Sequence, residues 1–133
     1  MAGVWPSRTL VISIDCPVAR VYEFASNPEN LPAWATAFVH SVRRMANDWV
    51  AETAAGPVAF RFVPRNELGV LDHFVRLPSG VEILNPMRVV QNGAGSEVLF
   101  TLFKSPEMSD AKFAVDVQMV ERDLQTLKST LEK

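Results

Sequence analysis

The feature that most limits how this chain can fold is a stripe near its C-terminus: Phe113, Val117, Val120, Leu124, Leu127 and Leu131. Steps of four and three residues put all six side chains on one side of an α-helix. Ser109-Asp110, or Ser105-Pro106 just before it, offers the N-cap, and charged Arg122, Asp123 and Lys128 fall off the stripe. A long helix with one apolar face needs a surface to cover. A coiled-coil seam would serve, but this helix follows a run of strands, and their sheet is the nearer partner.

The strands are legible from alternation. Arg8 to Ile14 sets Leu10, Ile12 and Ile14 against Arg8, Thr9 and Ser13. Asp15 then offers a helix N-cap, with Pro17 in the first turn, where its missing N–H costs nothing. Val18, Val21, Tyr22 and Ala25 share one helical face, Asn27-Pro28 stops that helix, and PENLPAW forms a short second one that brings Leu31 and Trp34 inward. Beyond Trp34 the texture is AFVHSVRRMA, WVAETA, VAFRFV, the stretch from Leu68, VEILNPMRVVQ and SEVLFTLFK. Six consecutive strands with short polar connections predict an antiparallel meander.

Composition narrows the chemistry. A chain of 133 residues fits one domain, residues 1–133, with no repeat or linker. Thirteen basic residues against fifteen acidic ones leave no basic stripe, so nucleic acid is set aside as a partner. The N-terminus MAGVWPSRT has no apolar stretch able to act as a signal, and no run suits a transmembrane segment. The single cysteine, Cys16, suits a reducing cytoplasm and reads as a small buried side chain. Two histidines and one cysteine on separate elements argue against a metal site, and no Gly-rich phosphate loop, dinucleotide fingerprint or nucleophile elbow implies a cofactor or a catalytic serine.

Hairpin geometry sorts the strands into faces, because directly opposed residues point the same way. A turn at Asn47-Asp48 sets Ala51 opposite Arg44 and Thr53 opposite Val42. A turn over 54–57 sets Thr53 opposite Val58, and one over 64–67 sets Phe60 opposite Leu71. With Pro78-Ser79-Gly80 as a three-residue turn, His73 meets Asn85 and Leu71 meets Met87; the loop over 92–95 sets Met87 opposite Phe100. One face then collects Phe38, His40, Val42, Trp49, Ala51, Thr53, Phe60, Phe62, His73, Val75, Asn85, Met87 and Phe100. The other collects Arg43, Glu52, Arg61, Asp72, Arg76 and Arg88. Such asymmetry is expected when one face lies under a helix. Asp72 is expected outward, as a weak surface ion pair with Arg61.

The polar exceptions on the inner face are His40, Arg44, Thr53, His73 and Asn85. Buried polar groups cost free energy unless partnered. They either satisfy one another, His73 with Asn85 first, or orient a ligand in an apolar cavity whose walls include Phe60, Met87, Phe100 and Trp34. Arg44 either meets a ligand anion or snorkels out at the sheet edge, and Trp34 either stacks on a ligand or plugs the core.

Strand, two short helices, six antiparallel strands and a long helix: the order resembles the helix-grip fold of the START-like or Bet v 1-like superfamily, also called SRPBCC or polyketide cyclase/dehydrase-like. The opening IDCPVARVYEFASNPENLPAWA resembles that superfamily's beginning, with Val21, Phe24, Pro28, Pro32 and Trp34 at familiar places. The resemblance covers Leu10 to Leu131 and implies an α+β, antiparallel, seven-stranded curved sheet wrapped on a long C-terminal helix. It implies a small hydrophobic molecule held between sheet and helix; with the single cysteine and the register above, the expectation is a cytoplasmic protein whose ligand has its polar end near His40, His73 and Asn85. Two alternatives stay open. One is a polyketide cyclase or dehydratase with His73 as general acid/base and Asn85 or Arg44 stabilising an enolate; the other is a co-chaperone-like interaction module. Self-association as a homodimer also stays open.

Overall fold

A computed structural model describes residues 3–133; Met1 and Ala2, which belong to the N-terminal stretch and the domain range read above, lie outside the described residues. The elements run β1 (Ser7–Ile14), α1 (Val18–Ala25), a 3-10 turn (Pro28–Asn30), α2 (Leu31–Trp34), β2 (Ser41–Met45) and β3 (Asp48–Thr53). They continue through β4 (Gly56–Phe62), β5 (His73–Arg76), β6 (Glu82–Asn85), β7 (Met87–Asn92), β8 (Gly95–Phe103) and α3 (Asp110–Leu131).

Both long-helix expectations meet the structure at Ser109, whose Oγ accepts the Lys112 N–H at 3.0 Å; the Ser105-Pro106 alternative lies outside the helix. Val117, Val120, Leu124, Leu127 and Leu131 are buried, and Phe113 packs beside them. The end of α3 is tied to β1, with Lys128 Nζ donating to the Ser13 carbonyl at 2.7 Å and the Asp15 N–H donating to Glu132 at 2.8 Å. Two expectations fail here. Asp15 does not cap α1, which starts after Pro17 without a side-chain cap. Asp123 does not face water: it is 3 % exposed. Its position, three residues beyond Val120 and four before Leu127, lies on the flank of the stripe that α2 covers.

The sheet is not one seven-stranded surface. It is divided into a three-stranded part, β1-β8-β7, and a five-stranded part, β2-β3-β4-β5-β6. The cause is Pro86. The expected strand VEILNPMRVVQ breaks there because proline has no N–H to give a ladder; β6 pairs with β5, β7 pairs with β8, and eight strands replace seven. The stretch from Leu68 divides in step. Leu71 donates its N–H to Met87 O at 2.8 Å and Gly69 O accepts the Val89 N–H at 2.9 Å, so Gly69 to Leu71 lie along β7 before the chain enters β5.

Asp72 sits at that crossing. Its partner is Arg88 and not Arg61, which reaches Glu82 and lies over the Phe74 ring. The carboxylate takes two guanidinium bonds, at 3.0 and 2.9 Å, and the Met87 N–H at 2.8 Å. Arg88 holds the Asp72 carboxyl below the usual carboxylate range, with burial opposing. Asp72→Asn keeps an acceptor for Met87 but loses the charged fork, so the expected cost is about 1–2 kcal/mol rather than the negligible cost of an isolated surface pair. A depressed carboxyl value stabilises above the unfolded value and ceases to do so as pH falls through the folded one. Urea titrations at pH 7 and at a pH low enough to protonate Asp72 in the folded protein should therefore show the cost at the first pH only.

The faces follow the expected parity although several pairings shift. His73 opposes Asn85 and Met87 opposes Phe100 as read from the sequence. Elsewhere Ala51 opposes Val42, Thr53 opposes Gly56, and Phe60 opposes Val75. The β2–β3 and β3–β4 turns hold only Ala46-Asn47 and Ala54-Ala55, whereas the β4–β5 connection is longer than expected. Each shift is even, so inward residues stay inward. Phe38 and His40 precede β2 rather than lying within it. Among the described residues no helix is long and apolar enough to cross a membrane.

Candidate functional site

α3 rests chiefly on β1 and α2. On the five-stranded part, the inner side chains Trp49, Val58, Phe62, Val75 and Ile83 therefore stay only half buried. Where the two parts of the sheet meet, this apolar face carries a row of rings. Phe60 and Phe62 stand edge-to-face at 6.2 Å, Phe62 and His73 lie 5.3 Å apart, and His73 and Phe100 lie 5.6 Å apart. Phe60, Met87 and Phe100 are buried and form the floor. A groove of about 100 Å³ opens beside Phe62, lined also by Tyr22, Ser26, Arg65, Val70 and Leu71. A larger groove, about 320 Å³, lies between α1 and the end of α3 and touches none of these rings.

His73 is the first residue of β5, held by its ladder between Phe62 of β4 and Asn85 of β6. Its Nδ1 lies 3.0 Å from the Leu71 carbonyl. A carbonyl only accepts, so Nδ1 carries the proton and Nε2 keeps a lone pair. Burial pushes the imidazole below the ordinary histidine value, against the opposing pull of the Leu71 carbonyl and the Asp72 charge. Burial thus favours the neutral ring. Among the described residues Nε2 has no hydrogen-bond partner, and neither does the Asn85 amide. Neither is fully buried, since the Trp34 indole N–H is the one fully buried side-chain polar atom lacking a partner among the described residues. The internal His73–Asn85 bond, weighed as the alternative to a ligand, does not form.

Three expected members stand elsewhere. His40 is exposed before β2, its N–H extending the ladder to Glu52 O at 2.9 Å. Arg44 is exposed, with its guanidinium 5.9 Å from the Trp49 ring. Thr53 is spent on its own turn, donating to Gly56 O at 2.7 Å and accepting the Ala55 N–H at 3.1 Å. Trp34 is a core plug, 4 % exposed. Phe62, not singled out as a site residue from the sequence, is central to the ring row. No three His, Cys, Asp or Glu side chains among the described residues converge in a way that could hold a metal ion.

Asp123 is the ionisable group the sequence reading missed. Its Oδ1 accepts the Ala37 N–H at 2.8 Å, tying α3 to the segment between α2 and β2. Burial raises its carboxyl to about 6, with the Ala37 bond and the Arg122 charge opposing. A raised acid stabilises fully below the unfolded value, near 3.8, and the benefit is lost as pH rises through the folded one. Relative to Asp123→Asn, which retains an acceptor for Ala37, the native protein should lose roughly 2–3 kcal/mol of stability between pH 4 and pH 7.5. Denaturant unfolding of both proteins at both pH values measures this difference.

No family model matches the chain, and none of the curated proteins does. Solved structures do share its fold. A START superfamily protein from Mycobacterium smegmatis has a TM-score of 0.70 at 12% identity, covering 95% of this chain and 97% of its own. Ara h 8.0201 has a TM-score of 0.67 at 9% identity, with 95% and 97% covered. The Aha1 dimer from Colwellia psychrerythraea has a TM-score of 0.72 at 15% identity, covering 96% of both chains. The chain therefore has the helix-grip fold of the START-like and Bet v 1-like proteins.

Proposed function

We propose that this chain, as a single START-like domain over residues 1–133, binds a small hydrophobic molecule on its concave face, with the ligand's polar end at His73 and Asn85. The observation that carries the reading is the adjacent and unspent pair, His73 Nε2 and the Asn85 amide, within an otherwise apolar row of rings. Such sites combine apolar walls with few polar groups that fix orientation. Cys16 is free and buried, which suits the cytoplasm as its location. A solution homodimer is compatible with this face remaining open, and the neighbour solved as a dimer supports that state.

The enzymatic alternative, a polyketide cyclase or dehydratase type of reaction, draws on the same geometry. A neutral imidazole with a free Nε2 is a competent base, and the Asn85 amide is placed to hold an enolate oxygen. Arg44 stands exposed over Trp49, towards the β2 edge of the same face.

The His73→Phe variant tests the binding site. It preserves bulk and ring stacking while removing the polar anchor. The expected outcome is a melting temperature close to that of the native protein and reduced retention of any small molecule that co-purifies, read by native mass spectrometry. A clear fall in melting temperature with ligand content unchanged would make His73 a structural residue.

A further inference from the structure

The atom that His73 presents to the open face is a hydrogen-bond acceptor. The Leu71 carbonyl, 3.0 Å from Nδ1, fixes the proton there, and Nε2 is left with its lone pair and no partner among the described residues. The side chains facing His73 from β4, β6 and β8 are Phe62, Asn85 and Phe100, none of them charged. The charge acting on it is that of Asp72, whose carboxylate is occupied by Arg88. The guanidinium groups around this face are engaged elsewhere: Arg88 with Asp72, Arg65 of the neighbouring groove with Glu23 and the Tyr22 ring, and Arg44 over Trp49 at 5.9 Å. A carboxylate brought to this spot would set its lone pairs against that of Nε2.

We propose that the polar end of the ligand is a hydrogen-bond donor, a phenolic or enolic hydroxyl on a flat apolar ring system, received by His73 Nε2 in preference to a carboxylate. The rings of Phe62 and Phe100, on either side of the imidazole at 5.3 and 5.6 Å, favour an aromatic body next to that hydroxyl. Asn85 adds no discrimination, since its amide can rotate to donate or accept. This inference rests on the binding role proposed above and specifies the chemistry of its polar anchor.

Three probes of similar shape test it: 2-naphthol, 2-methoxynaphthalene and 2-naphthoate, titrated against the native protein at pH 7.5 by calorimetry. One neutral hydrogen bond corresponds to about three- to tenfold in affinity, so 2-naphthol should bind that much tighter than its methyl ether, with 2-naphthoate weakest. His73→Phe should erase the difference between the first two. The native protein supplies an independent check should that variant fold poorly. As pH falls through the depressed imidazole value, Nε2 acquires a proton and becomes a donor, so the naphthol advantage should shrink and naphthoate should gain. Equal binding of naphthol and ether, or naphthoate binding tightest at pH 7.5, overturns the donor assignment while leaving hydrophobic binding in place. Failure of all three to bind overturns the binding role and the donor assignment together.

Discussion

Gly69→Ala should cost the fold about 3–6 kcal/mol, a large part of the stability of a domain this size. Gly69 is buried, with φ of 74°, and a Cβ built there would collide with the Val89 carbonyl oxygen. That oxygen belongs to β7, which Gly69 itself braces by accepting the Val89 N–H at 2.9 Å. Alanine must therefore adopt a left-handed backbone, costing roughly 1–2 kcal/mol. It must also push β7 away, with overpacking worth about 1–3 kcal/mol and the loss of ladder bonds worth about 1 kcal/mol each. The neighbouring turn gives little slack. Asn66 alone accepts from Leu68 and Val70, donates to Pro64 and Val70, and presents its N–H to the Tyr22 hydroxyl. Urea unfolding followed by circular dichroism measures the cost. A midpoint unchanged from the native protein would mean that Gly69 to Leu71 do not run along β7, and the division of the sheet would fall with it.

The same crossing separates what could be read in advance from what could not. The β5–β6 and β7–β8 registers were legible because each turn announces itself, with Gly80 at φ 92° in one and Asn92 to Gly95 spanning the other. The other turns were misjudged by whole pairs, and since the side-chain period is two, the faces survived the error. Pro86 was the available signal for the break between β6 and β7, because a proline in an apparent central strand argues against continuity. The crossing at Asp72 had no such local mark; it depends on Arg88 and Met87, more than a dozen residues away.

Of the candidate site, the placement of the inner residues was legible and that of the edge residues was not. His73, Asn85, Met87 and Phe100 belong to the two hairpins whose turns were read correctly. His40 and Thr53 belong to the edge of the sheet, where β2 starts later and the β3–β4 turn is shorter than expected. Nothing in the composition of the helix marked Asp123 as buried, since a charged residue beside an apolar stripe normally faces water. Its burial is a tertiary effect of the Ala37 N–H lying opposite.

Leu124→Ala should cost about 2–5 kcal/mol, the range for removing a fully buried leucine. Leu124 is 2 % exposed at the middle of the α3 stripe, between Val120 and Leu127, which are also buried. Truncation removes apolar burial and leaves a void that a helix tied at both ends can close only in part: Ser109 caps one end, and Lys128 and Glu132 bind β1 and Asp15 at the other. Val115→Ala is the internal comparison. That residue lies on the same helix but is 50 % exposed, so its loss should change stability by no more than about 0.5 kcal/mol. A contrast of several-fold between the two variants in denaturant unfolding is what a helix packed along this stripe requires. Equal, small effects would mean that α3 is not packed along this stripe. The open inner face at His73 depends on that same placement, because a helix seated on β1 and α2 is what leaves the five-stranded part of the sheet uncovered.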